Sequence, residues 1–248
     1  MLRLDLPPLT PAEQLAADEV ILDACEAGHG DETFLFWEPR ETFVVVGYAN
    51  KVATEVNVAV CEQSGVPIFR RCSGGGTVVQ MRGGLNYSLI LRIDENSPTR
   101  NITSANQFIM EKNRAAIQTL LPTSEISVRG HTDLTLATHH SSLATSKKFA
   151  GNSQRRRKKF LLFHGTLLLD CDLNLISELL LMPSLQPDYR ASRPHSGFVT
   201  NLNLSAEKVK AALAKEWNAT EELKNPPLEE IAKLASEKYA TREWNFKF

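Results

Sequence analysis

The alternation of apolar and polar residues divides this chain into helical and extended stretches. From Thr10 the spacing predicts a helix to Ala27: Thr10 is placed to cap, Pro11 takes the first helical position, and Glu13 completes a capping box. Leu15, Val20 and Leu22 supply its buried stripe, and Gly28 ends it. Two β-branched and aromatic runs, 33–37 and 42–47, read as strands parted by Glu38-Pro39-Arg40. A short helix is expected over 54–63 and a strand over 66–71. Residues 76–81 and 85–93 are expected to pair around Arg82-Gly83-Gly84. Helical spacing returns over 104–121 and stops at Pro122.

A second strand group follows, at 126–129, 133–138, 148–155 and 160–170. The serine-rich connection 138–146 reads as a mobile loop. Residues 173–181 form a short helix, 183–195 an ordered loop with no clean period, and 205–217 and 228–239 the last two helices. There is no internal repeat. Strand hairpins mixed with helices argue α+β (mixed α/β), and the alternation is too loose for a doubly wound parallel sheet.

Composition narrows the class. With 248 residues, 42% of them hydrophobic, the chain can bury a large core, and it is expected to form one domain over 1–248. Lys+Arg 28 against Asp+Glu 29 leaves a net charge of -1, which demands neither nucleic acid nor an anionic membrane as partner. Cys25, Cys61, Cys72 and Cys171 are scattered and read as small buried hydrophobes of a reducing compartment. The first eight residues lack the pattern of a signal peptide, and no apolar run reaches the length of a membrane span, so the expected location is cytoplasmic.

Four segments could carry chemistry. In Arg70-Arg71-Cys72-Ser73-Gly74-Gly75-Gly76-Thr77-Val78-Val79, three glycines lack Cβ atoms, so their backbone can approach a ligand and turn N–H groups toward an anion. The arginines add planar, permanently charged forks. A glycine-rich hairpin with two surface arginines is the alternative. The order of glycines fits neither a Walker loop nor a dinucleotide fingerprint. The second segment is Lys147-Lys148-Phe149-Ala150-Gly151-Asn152-Ser153-Gln154. Lys147 reads as a solvated strand end, whereas Lys148 is either that or an ammonium aimed into a pocket. The basic run 155–159 reads as a solvated face, with a basic patch as the alternative. The third is His164-Gly165 in an apolar strand, a setting in which histidine is usually a satisfied core residue. The fourth, Asp188-Tyr189-Arg190 with Arg193 and His195, has no defined chemistry by spacing alone. No serine elbow or zinc helix motif is present. Cys72 reads as inert packing.

Taken in order, these segments resemble the lipoate–protein ligase family, in the group that also holds biotin ligases and octanoyltransferases. Asp18-Glu19 resembles its N-terminal helix, 70–78 its arginine–glycine motif, 130–134 the strand entering its site, 148–154 its lysine motif, 164–168 its histidine–glycine strand, and 239–246 the end of its catalytic domain. Gln80-Met81 depart from the His-Asp of many members. The resemblance implies a central mixed β-sheet with a smaller sheet and flanking helices. It implies ATP with Mg, lipoate as substrate, and a lipoyl-domain or H-protein-type acceptor. It also implies a separate accessory protein as a further partner, since several bacterial ligases continue into an accessory domain. Lys148 would contact both the acyl carbonyl and the phosphate. Arg71, Ser73, Gly74, Gly75, Gly76, Thr77, Val78 and Val79 would hold the adenylate, supported by Arg70, Asp133, Gly151 and His164. The protein motif itself implies no metal site. An ATP-independent octanoyl or lipoyl transferase, and a binding subunit of a two-protein ligase, are the alternatives.

Overall fold

The computed structural model describes residues 1–137 and 146–248. The chain runs through β1 (Leu2–Leu4), α1 (Pro11–Glu26), β2 (Thr33–Trp37), β3 (Phe43–Val46), α2 (Val52–Glu55), α3 (Val58–Gln63), β4 (Ile68–Arg70), β5 (Val78–Gln80) and β6 (Gly84–Arg92). It continues through α4 (Ile102–Leu120), β7 (Glu125–Arg129), β8 (Asp133–Ala137), β9 (Lys147–Arg156) and β10 (Phe160–Leu168). Last come α5 (Asn174–Leu179), α6 (His195–Phe198), α7 (Ala206–Glu216), β11 (Glu221–Glu222), α8 (Leu228–Leu234) and α9 (Arg242–Asn245).

Eight strands form one mixed sheet in the order β11-β1-β2-β6-β10-β9-β8-β7, and three form a smaller sheet, β4-β3-β5. In the large sheet β1 runs parallel to its neighbours, whereas the pairs from β2 to β7 are antiparallel. Strand β6 lies inside and is covered on both faces, so it is buried from Gly84 to Leu91, the polar Asn86 and Ser88 included. Leu85, Tyr87, Leu89 and Leu91 enter the core under α4 and α7, while Ile90 enters the core under α1. Strand β10 divides in the same way: Leu161, Phe163 and Leu167 face one core, Phe160 and Leu162 the other. His164 shares the parity of Leu162 and so stands on the α1 side.

Helix α1 starts as the sequence predicts. Glu13 Oε2 accepts from the Thr10 N–H at 2.8 Å, and the Glu13 N–H points back to Thr10 Oγ1 at 3.4 Å. Several expectations are corrected. Residues 76–81 and 85–93 do not pair with each other. β5 joins β3 in the small sheet, and β6 is flanked by β2 and β10. The helix expected over 54–63 is two short ones, because Val56 is extended in an antiparallel bridge with Leu180. The segment expected as a loop over 183–195 contains a 3₁₀ turn, Asp188–Arg190, and α8 runs into a π turn, Ala235–Tyr239. The connection 138–146 lies, except for Ser146, outside the described residues.

Candidate functional site

A cavity of about 820 Å³ opens between β5, the β9–β10 part of the large sheet and the stretch from Ile176 to Val199. Leu15, Trp37, Val45, Ile176, Leu180 and Phe198 give it apolar walls, and Arg71, Asp133, Lys148 and His164 line it with charged or polar groups. Its size and mostly apolar lining suit a small molecule with an aliphatic part.

The glycine turn forms one wall. Strand β4 runs parallel to β3 and delivers Arg71 to the turn, where the Arg71 N–H donates to Val46 O at 3.1 Å. The guanidinium then folds back onto the turn. Its Nε donates to Ser73 Oγ at 3.0 Å and Gly74 O at 3.1 Å, and Nη2 donates to Gly76 O at 2.7 Å. Burial lowers its pKa to about 10, so it stays charged at neutral pH. Asn50 Nδ2 donates to Gly75 O at 3.1 Å, and Ser153 Oγ to Gly74 O at 2.8 Å. In a trans peptide the N–H opposes the C=O. With these carbonyls turned to side chains, the following N–H groups point the other way, as donors for an anion. Two glycines are needed sterically. Gly75 has φ +82, and a Cβ on Gly47 would lie 2.2 Å from Gly75 O.

The lysine wall comes from a β-bulge. Thr135 pairs with Lys148 and Leu134 with Ala150, so Phe149 is an extra residue. The bulge re-aims the side chain of Lys148 along the strand. Its Nζ lies 2.7 Å from Asp133 Oδ1, and Asp133 Oδ2 accepts from the Tyr189 hydroxyl at 2.7 Å. Burial and the Asp133 carboxylate push the Tyr189 phenol up, so it stays a donor. Gly151 makes room: a Cβ there would sit 2.8 Å from Lys148 Nζ. Gly165 makes room for Asn152 in turn, since a Cβ would lie 1.7 Å from its Oδ1. Asn152 Oδ1 accepts from the Tyr87 hydroxyl at 2.5 Å, and its Nδ2 donates to Thr132 O at 2.7 Å. These bonds tie the lysine strand to the loop that precedes Asp133.

Arg71, Gly75, Gly76, Thr77, Val78, Val79, Asp133, Lys148, Gly151 and His164 all line the cavity. Arg70, Ser73 and Gly74 stand behind its wall. Arg70 is fully buried and donates to the carbonyls of Gly47, Tyr48, Asn50, Trp244 and Asn245, which fastens the chain end to the turn. Sequence reasoning gave no role to Tyr189, Asn152 or Gly47. The tertiary approach that gives each its partner leaves no local pattern. Gln80 lines the cavity and exchanges two side-chain hydrogen bonds of 2.9 Å with Asn86, each amide N–H donating to the other's carbonyl oxygen.

The basic run divides: Arg155, Arg156 and Arg157 are half-buried with protein partners, whereas Lys158 and Lys159 are exposed, as a solvated face would be. Arg155 and Arg157 lie 3.5 Å and 3.6 Å from Glu19, with Lys238 at 2.6 Å. The N–H groups of Lys158, Lys159 and Phe160 donate to the Glu26 carboxylate. All four cysteines are free and buried, and none lines the cavity. Burial pushes the Cys72 thiol up to about 12, and those of Cys25 and Cys171 to about 11. Among the described residues no group of three or more His, Cys, Asp or Glu side chains could hold a metal ion, and no helix is long and apolar enough to cross a membrane.

The cavity joins apolar walls to charged groups, and the comparisons identify the enzyme family to which this fold and site belong. Residues 10–218 match the lipoyl protein ligase A/B catalytic domain, and the chain belongs to that family. It is 27% identical to octanoyltransferase LipM of Brevibacillus brevis, over 96% of both chains. It is 26% identical to lipoate-protein ligase A subunit 1 of Thermoplasma acidophilum, over 93% of this chain and 90% of that one. Among solved structures, a bi-partite lipoate protein ligase from Thermoplasma acidophilum superposes with a TM-score of 0.79 at 23% identity, covering 99% of this chain and 95% of that one.

Proposed function

We propose that the chain is an ATP-dependent lipoate–protein ligase, acting as one catalytic domain over 1–248. The observation that carries this reading is the content of the cavity: a buried-rim ammonium, Lys148, faces the same space as an arginine-backed glycine turn, and no thiol is present. In the first step a lipoate carboxylate oxygen attacks the α-phosphate of ATP. Pyrophosphate leaves, and a mixed anhydride with AMP remains. In the second, the amine of an acceptor lysine attacks the acyl carbon, AMP leaves, and the amine loses a proton. Negative charge grows on phosphate oxygens in one step and on the carbonyl oxygen in the other. A fixed ammonium between them stabilises both. Arg71 and the turn N–H groups would hold the phosphate, and the apolar walls the acyl chain. Magnesium would arrive with the nucleotide. The nucleophile belongs to the acceptor, a lipoyl-domain or H-protein-type partner, so the enzyme needs none of its own.

A second reading is supported by the similarity to octanoyltransferases over nearly the whole chain. An acyl group would pass from a carrier to the acceptor without ATP. An acyl-cysteine route has no candidate here, since each thiol is buried away from the cavity. Intact-mass measurement of an apo lipoyl domain, after incubation with lipoate and Mg-ATP or with octanoyl carrier protein alone, separates the two. The resemblance to one subunit of a two-protein ligase suggests a third arm. If an accessory protein serves the first step, the chain transfers from synthetic lipoyl-AMP faster than it makes lipoyl-AMP.

A further inference from the structure

Behind the glycine turn a line of hydrogen bonds connects four parts of the fold. Arg71 Nε donates to Ser73 Oγ at 3.0 Å, and Ser73 Oγ lies 2.6 Å from His164 Nε2. His164 Nδ1 lies 2.6 Å from Asp18 Oδ2, and Ser88 Oγ donates to Asp18 Oδ1 at 2.6 Å. Asp18 belongs to α1, Ser88 to β6, His164 to β10, and the other two to the turn. Ser73 and Ser88 are 1% exposed, Asp18 4% and Arg71 8%, while the His164 side chain, 12% exposed, reaches the cavity wall.

One arrangement of protons satisfies the whole line. A guanidinium only donates and a carboxylate only accepts. Asp18 therefore takes the hydrogen of His164 Nδ1, which leaves Nε2 as an acceptor when the ring is neutral. Ser73 then gives its hydroxyl hydrogen to Nε2 and receives that of Arg71 Nε. Among the described residues Ser73 Oγ has these two partners alone. A hydrogen on Nε2 would face Ser73 with two donors and leave its own hydrogen without an acceptor in a buried site, which is costly.

We infer that Asp18 and His164 are positioning residues that act through Ser73 on Arg71. They hold the guanidinium against the carbonyls of Gly74 and Gly76, and so set the anion-facing side of the turn before a ligand arrives. The order Asp–His–Ser is that of a nucleophile triad. Here the serine stands behind the cavity wall and its oxygen is occupied by Arg71, so its task is to orient. This inference rests on the reading that the turn holds the phosphate of an acyl adenylate.

Two measurements test it on the full chain. Long-range ¹H–¹⁵N spectra at pH 7, with His164 assigned by its loss in His164→Gln, report the ring's protonation directly. The neutral Nδ1–H tautomer is expected, and an Nε2–H tautomer or an imidazolium overturns the inference. Calorimetry with a non-hydrolysable lipoyl-sulfamoyl adenosine then measures binding to the wild type, Ser73→Ala, His164→Gln and the double variant. Each single change should weaken binding about tenfold, the scale of one buried hydrogen bond with a charged partner. The double variant should bind no more weakly than the weaker single, because both cut the same line. Additive losses, singles that bind as tightly as the wild type, or covalent labelling of Ser73 by a fluorophosphonate each overturn it. A wild type that fails to bind the analogue refutes the ligase reading itself, and the role of the relay toward that ligand with it.

Discussion

Gly151→Ala should disable the site while leaving the fold almost untouched. An added Cβ at 151 would stand 2.8 Å from Lys148 Nζ, 2.9 Å from its Cε and 3.8 Å from Asp133 Oδ1. Ordinary contact between such atoms begins at roughly 3.5 Å, so the ammonium must retreat by about 0.6–1 Å. The obstructed atoms are the far end of a flexible side chain, and Gly151 has no left-handed φ, so the lysine moves and the strand stays. Two stability effects oppose each other. Alanine in place of glycine inside a strand gains about 0.5–1 kcal/mol, and a disturbed, partly exposed Lys148–Asp133 pair costs up to about 1 kcal/mol. The net change should lie within about 1 kcal/mol, or roughly 2–4 °C in Tm. A misplacement of about 1 Å at a reacting centre costs on the order of 10²-fold in rate. The assay is lipoyl transfer from synthetic lipoyl-AMP to an apo lipoyl domain, followed by intact mass, beside a melting curve. Wild-type turnover in Gly151→Ala, with Lys148→Ala inactive, would refute the claim that Lys148 works from this position.

Arg70→Ala removes the donors of five buried carbonyls and should lower stability by about 3 kcal/mol or more, read as a lower urea midpoint with unchanged slope. An unchanged midpoint would show that the chain end is held in another way. The four thiols should resist iodoacetamide at pH 8 in the folded protein and react once it is unfolded, because burial keeps them neutral; fast labelling of Cys72 contradicts this. Burial would raise the Glu19 pKa, but hydrogen bonds from Lys238 and Tyr239 and the charges of Lys238 and Arg155 outweigh it, so the folded value lies below 4.5. Its contribution to stability is therefore present above the unfolded value and lost as pH falls through the folded one. Glu19→Gln should flatten the loss of Tm below about pH 4.5, and an acid slope equal to that of the wild type would argue against it.

Much of this was legible in the sequence, where local chemistry decides. The capping box of α1 and the strand at Thr33–Trp37 follow from residue types and spacing. Arg71, the glycines and Lys148 stood out because few turns need that many unhindered positions beside so much positive charge. Pairing was harder. Both 76–81 and 85–93 are apolar and adjacent, yet β5 finds its partner in Phe43–Val46, far back in the chain. A three-residue strand such as β1 is too short for any period to register, and it exists because β2 and β11 flank it. Asp18 was marked in the sequence only as part of the Asp18-Glu19 pair that resembles the family's N-terminal helix, with no partner assigned. Its bond to His164 spans 146 residues, and nothing local marks it. The bulge at Phe149 was equally silent, although it decides where Lys148 points.

The most direct test is a single comparison on the full chain. An apo lipoyl domain is incubated with the protein, lipoate and Mg-ATP, with lipoyl-AMP in place of lipoate and ATP, and with octanoyl carrier protein without ATP, and its mass is followed over time. Modification from lipoyl-AMP that vanishes in Lys148→Ala, together with ATP-dependent modification from free lipoate by the chain alone or with an accessory protein, is the predicted result. Efficient modification from the octanoyl carrier without ATP, and none from lipoyl-AMP, would contradict the ligase account and place the chain among the transferases.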